Sequence, residues 1–327
     1  MLSRFALPTV CALSLVAGSA SAQSPTDVYR AESFPAPPID HQTQNDSLAF
    51  RSDPGDRMTV SVSLGSRGPF QFLVDTGSER TIISRQLANR LGLERGRGVR
   101  IHSIVGVGLV DTALIPRLQM SRKEVRAIDA PMLEAGNIGA DGILGIDSLR
   151  AQRILFDFKA NRMSVTPSSE RAESLGDGTI VVRARSRRGR LILTDARVGN
   201  QAVAVVLDTG SQVTIGNMAL RRRLIRSGML GEAETVTLQS VTGATLQGEY
   251  MHLEQLEIGG AILMNLAIVF VDAHSFKPLG LDNRPALLLG MNAMRAFDRV
   301  SIDFTKKKLR VLMPSSSRAD GIELAAR

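Results

Sequence analysis

One tetrapeptide, Asp-Thr-Gly-Ser, closes an apolar run at two separate places, as LVDTGSERTII (Leu73–Ile83) and VLDTGSQVTIG (Val206–Gly216). Each copy sets a carboxylate, Asp75 and then Asp208, at the end of a hydrophobic strand, where an acid is costly to bury. A single Asp-Thr-Gly is a turn signal, because Asp and Gly both favour turns. Two copies that share four residues, the apolar run before them and an apolar pair with Gly after them are a repeat at domain scale, and they call for a common purpose.

The repeat extends well beyond the tetrapeptide. Each half opens on a hairpin: SLAFRSDPGDRMTVSVSL turns at Asp53–Asp56, and TIVVRARSRRGRLILTDARV turns near Ser186–Gly189, where a tip would keep its arginines hydrated. A helical segment follows each Asp-Thr-Gly-Ser. The first is SRQLANRLGL, with Ser84 as N-cap and Gly92 near its end, and the second is GNMALRRRLIRSGML. IHSIVGVGLV then matches LQSVTGATLQ, LQMS matches LEIG, AID matches FVD, GILGIDSL matches LLLGMNAM, and ILFDF matches VSIDF. Short strands with frequent turns predict an all-β architecture with a few short helices, built as two β-barrel-like lobes related by a pseudo-two-fold axis. The lobes are expected over residues 47–166 and 178–313, with a linker at 167–177 and a tail at 314–327.

The N-terminus reads as an export signal over residues 1–22: Arg4, an apolar run from Phe5 to Val16, and a small-residue ASA cleavage site at Ala20–Ala22. The run is too short for a spanning helix of roughly 20 residues, so no stable membrane insertion is expected after cleavage. Residues 23–46, rich in Pro and polar residues, read as a flexible leader. The only cysteine, Cys11, falls within the signal, so the mature chain has no disulfide, thiol nucleophile or cysteine metal site. The expected location is exported, either periplasmic or secreted.

The residue types explain the repeated acid. Water attacks a peptide bond when one group takes its proton and another protonates the carbonyl oxygen. Two close carboxylates can do both if they share one proton, because like charges roughly 3 Å apart resist ionising together. Asp75 and Asp208 are therefore the candidate catalytic pair, titrating as a unit. Gly77 and Gly210 allow backbone N–H groups to approach the carboxylates. Thr76 and Thr209 can direct hydroxyls across the lobe interface. Ser78 and Ser211 can donate to the carboxylates, lowering their pKa and giving a mildly acidic activity optimum.

LVDTGS with GILG, and VLDTGS with LLLG, resemble the retropepsin-like aspartic proteases, over nearly all of residues 48–313. The resemblance implies the acid-protease fold, with the active site between the lobes and one catalytic Asp from each half. It implies that the strands ending at Gly145 and Gly290 brace the catalytic loops. It also implies flaps: Ile104, Val105, Gly106, Val107 and Gly108 in the first half, with Ile104, Val105 and Val107 as an apolar face, and Thr242 and Gly243 at the tip of the second. Two departures stand out: neither flap has a tyrosine beside its tip glycine, and AHSFKPLGLDNRP inserts before ALLLG in the second half.

Other chemistries are poorly served. No His-Glu-x-x-His pattern and no Gly-x-Ser-x-Gly elbow occurs, so neither a metal nor an organic cofactor is expected. Net charge is +8, concentrated in clusters such as RARSRRGR, Arg221–Arg223 and Lys306–Lys308. These are hydrated turns and helix faces, or a means of weak contact with anionic envelope polymers. No Trp, two Tyr and no nucleic-acid motif argue against nucleic acid. The expectation is an aspartic endopeptidase acting on peptides or proteins. The alternatives are a non-catalytic envelope-binding protein on the same fold, and a protease active only as a homodimer.

Overall fold

The computed structural model describes residues 47–49, 51–52, 58–120, 123–314 and 323–325. The signal, the leader, the turn at 53–56 and most of the tail lie outside the described residues.

The N-terminal lobe is a sheet that closes on itself. Its strands run in the order Arg51–Ser52, Met58–Leu64, Arg67–Val74, Gly142–Leu144, Ile82–Ser84, Lys123–Leu133, Thr112–Met120. Met58–Leu64 also pairs with Thr112–Met120, at Ser63↔Gln119, which makes a six-stranded barrel. The C-terminal lobe repeats the plan with Arg190–Leu193, Ala204–Leu207, Ala286–Leu289, Thr214–Gly216, Ala261–Phe270, Thr245–Ile258 and Ala196–Val198. The first and last of these are separated in the chain only by Thr194 and Asp195, so this sheet also comes round on itself.

Between the lobes lies a six-stranded stretch with three strands from each half: Ser47–Ala49, Arg162–Pro167, Gln152–Asp157, Arg299–Asp303, Lys308–Leu312 and Thr179–Arg187. The halves meet where Ile154 faces Ile302 and Phe156 faces Val300. All four side chains are buried in a core cluster that runs through both lobes. The strands leading into the two Asp-Thr-Gly-Ser loops are buried on both faces, which accounts for their unbroken runs: Phe72, Leu73 and Val74, and Val205, Val206 and Leu207.

Local signals match the elements they predict. Ser84 caps the helix Arg85–Leu91 by accepting from Leu87 N–H at 3.1 Å, and Gly92 ends it in the left-handed region at φ 64°. Asn217 caps Met218–Arg226 in the same way. The second hairpin turns through Arg188 and Gly189, both with positive φ (50° and 81°), as a two-residue turn requires.

The first hairpin differs from expectation. Ser47–Ala49 leaves Met58–Leu64 and pairs with Arg162–Pro167 in the interlobe sheet, so only Arg51–Ser52 folds back on Met58–Leu64. In the second half one strand does both jobs: residues 179–183 pair with Lys308–Leu312, and 184–187 with Arg190–Leu193. Within the expected tail, Glu323–Ala325 is a strand parallel to Ala261–Phe270.

The interlobe sheet buries one ion pair. Arg153 and Asp303 face each other across the two halves, with Nε 3.5 Å from Oδ2 and side chains 5 % and 7 % exposed. Asp303 also accepts from the Ser168 hydroxyl and, at 2.8 Å, from Lys306 N–H. Removing one partner leaves a buried charge unpaired, so Asp303→Ala is expected to cost about 3 kcal/mol. Chemical denaturation checks this, and a loss within the error of the measurement would contradict it.

Candidate active site

The strands Arg67–Val74 and Ala204–Leu207 each end one residue before an aspartate. Asp75 N–H donates to Leu144 O and Asp208 N–H to Leu289 O, both at 3.1 Å, so each loop leaves its strand at the same angle. Gly77 N–H donates to Asp75 Oδ1 at 2.7 Å and Ser78 N–H at 3.0 Å. Gly210 N–H donates to Asp208 Oδ1 at 3.1 Å.

Thr76 and Thr209, both buried, tie the loops together across the lobes. Thr76 N–H donates to Thr209 Oγ1 at 3.0 Å, and Thr209 N–H to Thr76 Oγ1 at 3.1 Å. Each hydroxyl then donates to the opposite strand, Thr76 to Leu207 O at 3.0 Å and Thr209 to Val74 O at 2.6 Å. Every donor and acceptor in this network is used, as burial demands.

The glycines matter for a reason beyond N–H access. A Cβ on Gly77 would lie 2.6 Å from Asp208 Oδ1, and a Cβ on Gly210 would lie 2.4 Å from Asp75 Cγ. Each carboxylate passes over the other loop's glycine, in space that any side chain would fill.

The bracing strands repeat the symmetry. Gly142–Leu144 runs parallel to the first loop strand, with Leu144↔Val74, and Ala286–Leu289 to the second, with Leu289↔Leu207. A Cβ on Gly145 would lie 2.3 Å from the Arg80 carbonyl carbon, and one on Gly290 would lie 2.6 Å from that of Val213. Past them, Asp147 accepts from Thr81 N–H (2.9 Å) and hydroxyl (2.7 Å), and Asn292 Oδ1 accepts from Thr214 N–H (2.9 Å) and hydroxyl (3.0 Å). Asp147 and Asn292 were not singled out from the sequence, although they occupy the same place in GILGIDSL and LLLGMNAM.

Two family models match the chain in tandem. One, for gag-polyprotein aspartyl proteases, covers residues 60–151, and the other, for aspartyl proteases, covers residues 194–293. Together they span more than half of the chain, one over each loop. The chain belongs to the retropepsin-like aspartic proteases. It is an aspartic-type peptidase, a hydrolase of peptide bonds whose substrates are peptides or proteins. No curated protein matches it.

In this retropepsin-like protease, burial is the largest influence on both carboxylates, and it raises both pKa values. Asp208 is pushed up to about 7 by burial, then by repulsion from Asp75. For Asp75 the upward push of burial is opposed by Gly77 N–H, by the Arg190 charge and by Ser78 N–H. The two serine hydroxyls play no part in this, contrary to expectation. Ser78 donates to Arg80 O at 2.8 Å and Ser211 to Val213 O at 2.7 Å. Each satisfies a carbonyl two residues on in its own loop, a local bond that competes with a longer reach.

Arg190 is a second correction. Arg183, Arg185, Arg187 and Arg188 are exposed, as a hydrated hairpin predicts, but Arg190 is buried at 8 % exposure. Among the described residues, no group of three His, Cys, Asp or Glu is arranged to hold a metal ion. No helix among them is long and apolar enough to cross a membrane.

Both flap segments are hairpin tips, and each leans on the opposite lobe. The first joins Val99–His102 to Val107–Val110. Its Ile104 packs against a C-terminal cluster of Val206, Ile215, Phe276 and Leu288, and Ile104 O accepts from His274 N–H at 2.7 Å. His102 Nδ1 lies 2.9 Å from His274 Nε2. The insertion AHSFKPLGLDNRP, which includes the 3-10 helix His274–Leu279, is thus the seat of the first flap. Val105 and Val107 do not share the face of Ile104; they are exposed, and Gly106 and Gly108 have open space beside them. In the second flap Val241 packs against Leu73, Ile82 and Ile143. Thr242 is half-buried beside it, its N–H donating to Ser240 Oγ at 3.3 Å. Gly243 turns at φ 85° against Asn137.

Two outcomes follow from the loop geometry. Gly77→Ala forces Asp208 aside and is expected to lower peptide hydrolysis by about 100-fold with the fold intact; wild-type rates with an unchanged circular dichroism spectrum would contradict this. The raised Asp208 value also sets a stability trend. Between about pH 4 and 7 the folded state holds a proton that the unfolded chain releases, so stability falls as pH rises through this window. Asp208→Asn is expected to remove most of that fall in urea titrations at pH 4 and pH 7.5, and an identical pH trend in both proteins would refute the assignment.

Proposed function

We propose that Asp75 and Asp208 are the catalytic pair of an exported endopeptidase, holding the attacking water between two carboxylates that share one proton. The observation that carries this reading is the interleaving of the loops, which sets each carboxylate over the glycine of the other. Burial of both carboxylates and their mutual repulsion support it, since both favour a proton on one of them. One carboxylate takes a proton from water as the water attacks, and the other protonates the carbonyl oxygen. The pair works with one proton bound, so activity falls as pH rises through about 7, where the last proton leaves. Buried, repelling carboxylates place that limb, and the serine hydroxyls have no share in it.

Ile104 and Val241, the partly buried apolar residues of the two hairpin tips, favour extended peptides with apolar side chains next to the scissile bond. One chain supplies both carboxylates, so the active unit of this reading is the single chain. Export to the periplasm or beyond rests on the N-terminal signal pattern.

Peptide cleavage by the purified protein tests the reading, with Asp75→Asn and Asp208→Asn beside it and cleavage sites located by mass spectrometry. The expected result is internal cleavage between apolar residues, with a loss of ~1000-fold or more in either variant. Full activity in either variant would overturn the shared-proton mechanism.

A further inference from the structure

Arg190 opens the strand that follows the Arg188–Gly189 turn, and this turn lands on the N-terminal lobe: a Cβ on Gly189 would lie 3.0 Å from Ile146 Cγ2. The guanidinium is therefore buried where the two lobes meet. Its acidic partner among the described residues is Glu79, with Oε1 4.0 Å from Nη2, and the two side chains are 10 % and 38 % exposed. Among the described residues, Arg190 Nε has no hydrogen-bond partner. A buried cation with so loose a partner needs another negative charge close by. The pair of carboxylates, carrying one proton, supplies a net charge of −1.

We propose that Arg190 is a positioning residue for the reaction, whose buried guanidinium holds the Asp75–Asp208 pair in its singly protonated form by resisting uptake of a second proton. This rests on the reading of the two aspartates as the catalytic pair. Both carboxylates feel the charge: each value is raised by burial and drawn back by Arg190. Glu79 sets how much of that charge reaches them. It stands four places after Asp75 in the first loop, and its counterpart in the second loop is the neutral Gln212. Other charges nearby are engaged elsewhere. Asp147, next to Ile146, accepts from Thr81; Arg80 pairs with Asp129; and the remaining arginines of the hairpin are exposed. His102 and His274 lie at the first flap and are left in place in every variant below.

An electrostatic role and a purely structural role predict different signs. If Arg190 only joins the lobes through Glu79, losing either residue has the same effect. If it acts on the pair, Arg190→Met removes the charge, and Glu79→Gln frees more of it. The test is the pH profile of kcat/KM for peptide hydrolysis, with melting temperatures measured beside it. Arg190→Met is expected to move the profile up by about one pH unit, so that activity is lost on the acid side while it persists near neutrality. Glu79→Gln moves it down by roughly half a unit. Arg190→Lys restores most of the wild-type profile. Uniform loss at every pH in Arg190→Met with its limbs unmoved, or shifts of the same sign in Arg190→Met and Glu79→Gln, would overturn the proposal. If Arg190→Met does not fold, Glu79→Gln decides alone: a downward shift upholds the proposal, and an unmoved or upward one defeats it. Asp75→Asn and Asp208→Asn separate the two claims. Inactive Asn variants with an unmoved Arg190→Met profile remove the role of Arg190 and leave the catalytic pair, whereas an active Asn variant removes the pair itself.

Discussion

The exchange of hydrogen bonds between Thr76 and Thr209 is the constraint on which the rest depends. It locks the two loops into one body, each threonine giving its N–H and its hydroxyl to the other half. Only in that arrangement do Gly77 and Gly210 pass beneath the opposite carboxylates. The cost of burying two acids is then met in part by groups already in place: Gly77 and Ser78 N–H on Asp75, and Gly210 N–H on Asp208. The interlobe sheet holds the frame behind this contact, and the bracing strands set the height of each loop.

Two halves of one chain are free to diverge where the pair itself does not depend on symmetry. Asp147 and its counterpart Asn292 make the same two bonds to a threonine, since a carboxylate and an amide oxygen both accept. Glu79 became Gln212, which leaves the site with one charged flank. The flaps diverged most. The first is seated on His274–Leu279 and the second on the short helix Ala135–Ile138 through Asn137; both segments lead into a bracing strand, but the one under the first flap is longer. In the proposed reading, substrate choice belongs to these unequal parts and the chemistry to the equal ones.

The parts legible in the sequence were those in which both halves obey one steric rule. Asp75, Thr76, Gly77 and Gly145 could be read beside Asp208, Thr209, Gly210 and Gly290, because the glycines leave no room for a side chain and the threonines need a hydroxyl to cross to the other loop. Helix ends were legible from Ser84 and Gly92, whose capping geometry is local. What remained hidden depended on long-range placement. Nothing in RARSRRGR separates Arg190 from its hydrated neighbours until the hairpin is seen to land on Ile146. The directions of the Ser78 and Ser211 hydroxyls turned on a local competition that composition does not reveal. AID and FVD were matched by type, yet Ile83 pairs with Met132 and its counterpart Gly216 with Phe270, so FVD corresponds to Met132–Glu134. Hairpins of unequal length in the two halves had shifted the register.

The central claim is that Asp75 and Asp208 titrate as one unit sharing a proton. Carbon-13 NMR of the aspartate side-chain carboxyls, assigned with the Asp75→Asn and Asp208→Asn proteins, measures this without any substrate. The account predicts two well-separated steps, the upper near 7, with both resonances responding to each step. Two independent titrations near the ordinary value of 3.8 would contradict it.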